Sequence, residues 1–448
     1  MLPTLIFLAI AILFHELGHF LACKLLGIRV EVFSFGFPPK LIGKKWGETE
    51  YAISLIPLGG YVKIAGQDPT EEVSGAPDEF VSHPLWHRSL VVFAGPLFNI
   101  IVALLITYIV FVVGFHINIF PNTVGIVKPN SIAEQAGLQV GDKITEISGK
   151  KIKSWGELSN LYNAGTTEKN LTILRQGVTS QIILPTFDEK TAYGELENDY
   201  GIYPYVPNQY VEVGMVYPNT IAYRAGLRQE DKILAITNIS GATTYWNIIH
   251  GIRSSGNKPI TMQVQRGDKI LTLSATPELI SKDAKYATIG FVIKAPAKEL
   301  IQFSPIESIK VTFLSFIQTV YVMGKGIGDV MIGKLPFSSA FGGLPSMAIF
   351  AQQAAKSGLA DYFLLVAALS ISLGVINLVP FPVLDGGHLL YFLLEKIRKK
   401  PLSIKTLEVL TKFGVAVLVS FMIYLIVNDF VSSGLITRFI SWVQKGFA

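Results

Sequence analysis

Two histidines and a glutamate, His15-Glu16-Leu17-Gly18-His19, lie inside an otherwise apolar run from Leu2 to Leu26. Residues four apart on a helix are separated by about 40° around its axis, so both imidazoles can reach one metal ion. The glutamate between them can then take a proton from water that the metal activates, which is the mechanical sense of an H-E-x-x-H pattern. The pattern alone recurs by chance, but its setting adds weight. Each ionisable side chain in a membrane span costs about 2.5–3.5 kcal/mol on insertion scales, so such residues mark function by default. The sequence therefore predicts a metal site within a bilayer rather than a polar trio facing a neighbouring helix.

Apolar residues make up 50% of the chain and charged residues 16%. That balance fits a membrane protein with a large water-exposed part. A net charge of +5 is too mild to suggest nucleic acid as a partner. Cys23 is the only cysteine, which excludes an intrachain disulfide. It follows His19 by one more helical step, about 80° from His15, and reads as a small apolar helix residue rather than a further ligand.

The N-terminal run lacks a basic leader region and a small-residue cleavage site, so it is expected to remain as the first span. Further spans are expected at Val91 to Phe115, Tyr362 to Val379 and Leu410 to Val427, the last interrupted near its start by Lys412. Basic residues cluster in two connections. Lys24, Arg29, Lys40, Lys44, Lys45, Lys63 and Arg88 occupy the first, and Lys396, Arg398, Lys399, Lys400 and Lys405 the last. The positive-inside rule makes both cytoplasmic and puts both termini and the long central segment on the outer side. Between Ser304 and Ser357, apolar stretches are broken by Lys310, Lys325, Asp329 and Lys334. These are expected to be amphipathic helices at the outer face, because Val311 to Met323 is too short to cross about 30 Å of hydrocarbon.

The central segment is duplicated. Val124 to Leu138 recurs as Val213 to Leu227, and each copy continues into Asp-Lys-Ile, at Asp142 and at Asp231. The copies resemble tandem PDZ domains of the circularly permuted bacterial kind, in which a peptide adds as a strand beside a sheet edge. Glu230 stands where the first copy has Gly141, so the turn is expected to differ between them.

A second chemical motif is Asn377-Leu378-Val379-Pro380-Phe381-Pro382-Val383-Leu384-Asp385-Gly386-Gly387. Its prolines and glycines forbid a regular helix beside a span. Non-helical backbone at membrane depth is tolerated only where it is buried in protein or lines a cavity. Asp385 is the obvious third ligand, completing a two-histidine, one-carboxylate set with a position open for water. Ferrous iron would accept the same set. Glu16 and the peptide-handling domains argue for zinc and hydrolysis. Between the first spans, Val30 to Phe37 and Tyr51 to Ile64 alternate like strands, with a turn signal at Pro57-Leu58-Gly59-Gly60. Gly59 and Gly60 would let a backbone approach closely.

Taken in this order, the H-E-x-x-H span, the paired PDZ-like domains and the Asn377 to Gly387 stretch resemble the site-2 intramembrane zinc metalloproteases, in the branch that regulates sigma-E in Gram-negative bacteria. The resemblance implies one Zn2+ per chain held by His15, His19 and Asp385, with Glu16 as general base. It also implies that Asn377 helps hold a substrate strand beside the metal, and Pro380 and Pro382 of the same stretch are assigned with it. A membrane-dipping sheet that includes Gly59 and Gly60 would offer its free edge to the substrate.

The expected fold is thus a polytopic α-helical membrane protein with four transmembrane spans, a membrane-associated β element and two periplasmic PDZ-like α+β domains. The first span covers 1–26, the β region 27–90, the second span 91–115, and the PDZ-like domains 121–208 and 209–297. Interfacial helices follow at 303–360, the third span with its motif at 361–387, a basic loop at 388–408, the fourth span at 410–427 and an outer tail at 428–448. The expected substrate is a single-span membrane protein of the anti-sigma-factor type, trimmed first by another protease, with remnant signal peptides as a further class. The expected location is the bacterial inner membrane, with the paired domains screening substrates by size or binding peptides. Two other readings are a PDZ-bearing scaffold without catalysis and a metal transporter. A scaffold has no reason to retain Glu16, and a transporter would want ionisable residues in several spans, whereas the second span has none.

Overall fold

The computed structural model describes residues 2–67, 74–163, 169–185, 196, 200–218, 220–279, 286–334 and 343–432. Most of the expected outer tail lies outside them. The chain forms two compact units, one from residues 1–115 with 302–448 and the other from residues 116–301.

The first unit is built on long apolar helices. These are α1 (Leu2–Leu26), α2 (Leu85–Val113), α3 (Pro305–Met331), α4 (Leu344–Ser357), α5 (Leu359–Asn377), α6 (Asp385–Arg398) and α7 (Ile404–Ser432). Gly18 sets the crossing of α1 and α2, since a Cβ there would lie 2.3 Å from the Ala94 carbonyl oxygen. His15 faces Asn99 and His19 faces Val91, so α1 and α2 run in opposite directions. Gly374 of α5 lies against Pro96 and Asn99, while Ala367 and Ile371 pack with Ala103. Hence α5 also opposes α2 and runs the same way as α1. Cys23 is fully buried with Ile28, Val30, Ile64, Val91 and Val92, in the apolar role expected of it.

Among the described residues, five helices are long and apolar enough to cross a membrane by length and composition. The additional one is α3, which departs from the expectation of short interfacial helices. Ser304 and Glu307 form a capping box and Pro305 starts the helix. From there it continues unbroken for 27 residues, about 40 Å. The short apolar run at 311–323 therefore underestimated its reach. Phe316 and Val320 pack against Ala103 and Ile371, so α3 turns back alongside α2.

The β region has more reversals than the expected hairpin. β1 (Val30–Trp46) and β2 (Thr49–Ile64) reverse at Gly47, where φ is 64°. The Pro57 to Gly60 stretch, assigned within β2, carries a further reversal as expected, since 50–53 and 60–64 run in opposite directions on either side of 32–35. Residues 30–35 pair with 64–60 on one side and, from Val32 on, with 50–53 on the other, while 42–46 pair with 53–49. The 60–64 run is therefore an edge, and among the described residues no further strand pairs with its other side.

The second unit holds two β-rich halves with separate cores. Val124, Ile144, Leu171 and Ile173 lie in the first, and Val213, Ile233, Met262 and Val264 in the second. Both halves repeat a clamp that the internal repeat did not reveal. Buried Asp142 accepts two 2.7 Å hydrogen bonds from Arg175, and buried Asp231 accepts two from Arg266. Those bonds push both guanidinium pKa values up. The expected difference between the copies at Glu230 is corrected. Gly141 and Glu230 both have positive φ, 94° and 72°, and donate their N–H to Val124 O and Val213 O at 2.8 Å. The backbone bond holds the glutamate in the turn that glycine would take freely.

Because α1 and α5 run the same way, whatever the chain does between Gln302 and Gly358 must return it to the side on which α2 ends. A reporter fused after Lys356 should read on the same side of the membrane as one fused after Gly114. Opposite readings would contradict parallel α1 and α5.

Candidate metal centre

Three side chains from opposite ends of the chain meet beside Gly95 of α2. His15 and His19 project from one face of α1, as their spacing requires. Asp385 arrives through the break between α5 and α6. Residues 378–384 are non-helical, and Val383 sits at φ 85°. A β-branched residue in that region costs on the order of 1–3 kcal/mol. This turn makes Asp385 the first residue of α6.

The geometry is that of a ligand set. His15 Nε2 lies 3.2 Å from His19 Nε2 and 3.1 Å from Asp385 Oδ2, and His19 Nε2 lies 3.7 Å from the same oxygen. Ligands at about 2.0–2.1 Å from a tetrahedral zinc stand about 3.3 Å from one another. Asp385 Oδ2 is buried and has no hydrogen-bond partner. A buried, unpaired carboxylate oxygen is costly, and a cation between it and the imidazoles removes the cost. The donor chemistry fits zinc. Gly95 leaves room for the two imidazoles, because a Cβ there would lie 2.4 Å from His19 Nε2 and 2.9 Å from His15 Cε1.

Glu16 borders the same cavity of about 250 Å³, together with His15, His19, Asp385, Asn377, Val62, Ile64, Gln67 and His388. Its Oε2 accepts a 3.1 Å hydrogen bond from the Val62 N–H, which turns the carboxylate toward the β2 edge. His19 Nδ1 donates to the Val91 carbonyl at 2.8 Å, leaving Nε2 its lone pair.

The structure thus brings His15, Glu16, His19, Asp385 and Asn377 together. Gly60 backs onto Glu16, with a Cβ position 3.8 Å from Glu16 Cγ, and Gly59 backs onto Ile12. Pro380 and Pro382 lie in the break between α5 and α6 and do not border the cavity, and Pro382 packs against Gly414 of α7. Two residues were missed. His388 follows Asp385 by three positions on α6 and so shares its face, a signal present in the sequence. Asn99 is the other, a buried amide in an uncharged apolar run.

Two ligands on a helix of membrane-spanning length, a third from the break before α6 and a carboxylate beside them are the parts an intramembrane metallopeptidase needs. The model of peptidase family M50 matches residues 3–421, and the chain belongs to that family. A Vibrio cholerae protein provisionally named a zinc metalloprotease is 32% identical over 452 residues, 95% of this chain and 97% of the relative. The regulator of sigma-E protease RseP of Salmonella typhimurium is 31% identical over 455 residues, covering 95% of this chain and 97% of that one. The Escherichia coli protein of the same name is 31% identical over 447 residues, 94% of this chain and 96% of its own length. The chain is an intramembrane zinc metalloprotease.

Gly95→Ala should empty the site. Alanine favours a helix over glycine by about 1 kcal/mol, but the new methyl would overlap both imidazoles and force them out of their present positions. Metal analysis of the purified, folded variant should find little zinc. A full equivalent of zinc would mean that the metal lies elsewhere.

Proposed function

We propose that this protease cuts the transmembrane segment of a single-span membrane protein of the anti-sigma-factor type, after another protease has shortened its outer part. The observation that carries the reading is the β2 edge. Val62 offers its N–H to Glu16, so an open strand edge runs along the wall of the cavity that holds the ligand set. A peptide bond inside a helix is hydrogen-bonded and crowded by side chains. Adding the substrate to an edge as an extended strand exposes one carbonyl at a time and supplies backbone hydrogen-bond partners where water is scarce.

His15, His19 and Asp385 would hold the zinc, which when bound supplies Lewis acidity that lowers the pKa of water and polarises a carbonyl. Glu16 acts as general base and then delivers the proton to the leaving amine. Its hydrogen bond to Val62 N–H keeps the carboxylate at the strand edge, where the scissile bond would lie. Asn377 lines the cavity and would donate to, or accept from, the substrate backbone. The regulator of sigma-E proteases among the relatives support the sigma-E pathway as the setting. The bacterial inner membrane would be the location, with the duplicated domains on the periplasmic side. Those domains would screen the outer part of a substrate, so that a trimmed stub enters and a folded domain does not. Remnant signal peptides offer the same chemistry, a short apolar helix with little outside it.

Glu16→Gln should abolish cleavage of a trimmed single-span substrate in reconstituted bilayers while zinc stays near one per chain. The parent should lose activity to a chelator and regain it with zinc. Appreciable turnover by Glu16→Gln, or cleavage confined to soluble unfolded proteins, would contradict the reading.

A further inference from the structure

Asn99 is wholly buried midway along α2, 0% exposed, and it does not border the cavity that holds the ligand set. Its Nδ2 lies 3.4 Å from His15 Nδ1, and its Oδ1 is buried without a partner. An amide in apolar surroundings is costly unless both ends are satisfied, so this arrangement needs a reason.

The reason lies in the tautomer of His15. With Nδ2 turned toward Nδ1, the amide donates to the ring, and the neutral imidazole then carries its proton on Nε2, facing Asp385. That tautomer has no lone pair to give a metal at Nε2. A half-turn of the amide exchanges Oδ1 and Nδ2 without moving the rest of the side chain. The Nδ1–H of His15 then donates to Oδ1, Nδ2 takes the place that the oxygen held, and Nε2 is free to ligate. The other histidine already has such a partner, since His19 Nδ1 meets the Val91 carbonyl, which can only accept. Val91 and Asn99 are both carried by α2, and they face histidines four residues apart on the opposed α1.

We infer that Asn99 is a positioning residue. It accepts from His15 Nδ1–H through Oδ1 and so holds His15 in the one neutral tautomer that can bind zinc. The inference rests on His15 being a zinc ligand. It gives the second helix a role in the metal site that goes beyond close packing.

The test compares two near-isosteric variants of the full chain by zinc affinity, measured in competition with a chromogenic chelator. Asn99→Leu removes the acceptor, and Asn99→Asp keeps an acceptor while removing the donor. Loss of the partner of a ligating histidine typically weakens metal binding about 10–100-fold. Asn99→Leu should show that loss at an unchanged melting temperature, and Asn99→Asp should stay within roughly threefold of the parent, well short of that loss. Parent-like affinity in Asn99→Leu would overturn the inference, as would equal losses in the two variants. Imidazole 15N spectra of the zinc-loaded parent give a readout independent of any variant. Protonation of His15 at Nδ1 is expected, and protonation at Nε2 would overturn the inference. His15→Ala serves as control, because undiminished zinc there would refute His15 as a ligand and leave the two failures distinguishable.

Discussion

Everything in the first unit depends on holding two imidazoles and a carboxylate within 4 Å of one another in apolar surroundings. Separately, each is expensive at membrane depth. Together they are tolerable when a cation sits among them and their outer atoms find partners. The distances of 3.1, 3.2 and 3.7 Å are those of groups arranged around a shared centre. The rest of the unit serves that convergence. Gly18 lets α1 and α2 approach, Gly95 keeps the space clear, and the break before α6 delivers Asp385 to the depth of the histidines.

A second constraint follows from the first. A peptide bond can be hydrolysed within a bilayer only after its helix has been opened, and an extended strand needs hydrogen-bond partners that lipid cannot give. The β region answers this with a strand edge at 60–64 beyond which no further strand pairs among the described residues, and Glu16 reaches that edge through Val62. Base and edge are thereby tied to each other, so a strand laid against β2 would lie beside the groups that act on it.

Much of this was legible in the sequence, for physical reasons. Ionisable residues in an apolar run stand out because burying them is costly, and His15 and His19 declare their common face by spacing alone, with Glu16 about 60° from His19. Asp385 was legible because prolines and glycines beside a span demand a reason. Other features carried no such mark. Asn99 is uncharged, and its meaning depends on which residue of α1 it meets. α3 was underestimated because only its apolar centre was measured, whereas its length comes from the Ser304–Glu307 capping box and from a helix that runs through glycines. Gly59 and Gly60 suggested a turn, and the chain does reverse there, but that Gly59 would lie against Ile12 of α1 and Gly60 against Ser34 of β1 carried no mark in the sequence. The Asp–Arg clamps were hidden because each arginine follows its aspartate by more than thirty residues.

Which atoms hold the metal is the central question. X-ray absorption at the zinc edge of the purified full-length protein, together with metal analysis of Asp385→Ala, tests it most directly. Two imidazole nitrogens with oxygen donors, and a sharp fall in bound zinc when Asp385 is replaced, are the expected results. A sulfur neighbour from Cys23, a third imidazole from His388, or undiminished zinc in Asp385→Ala would contradict a centre assembled from the two ends of the chain.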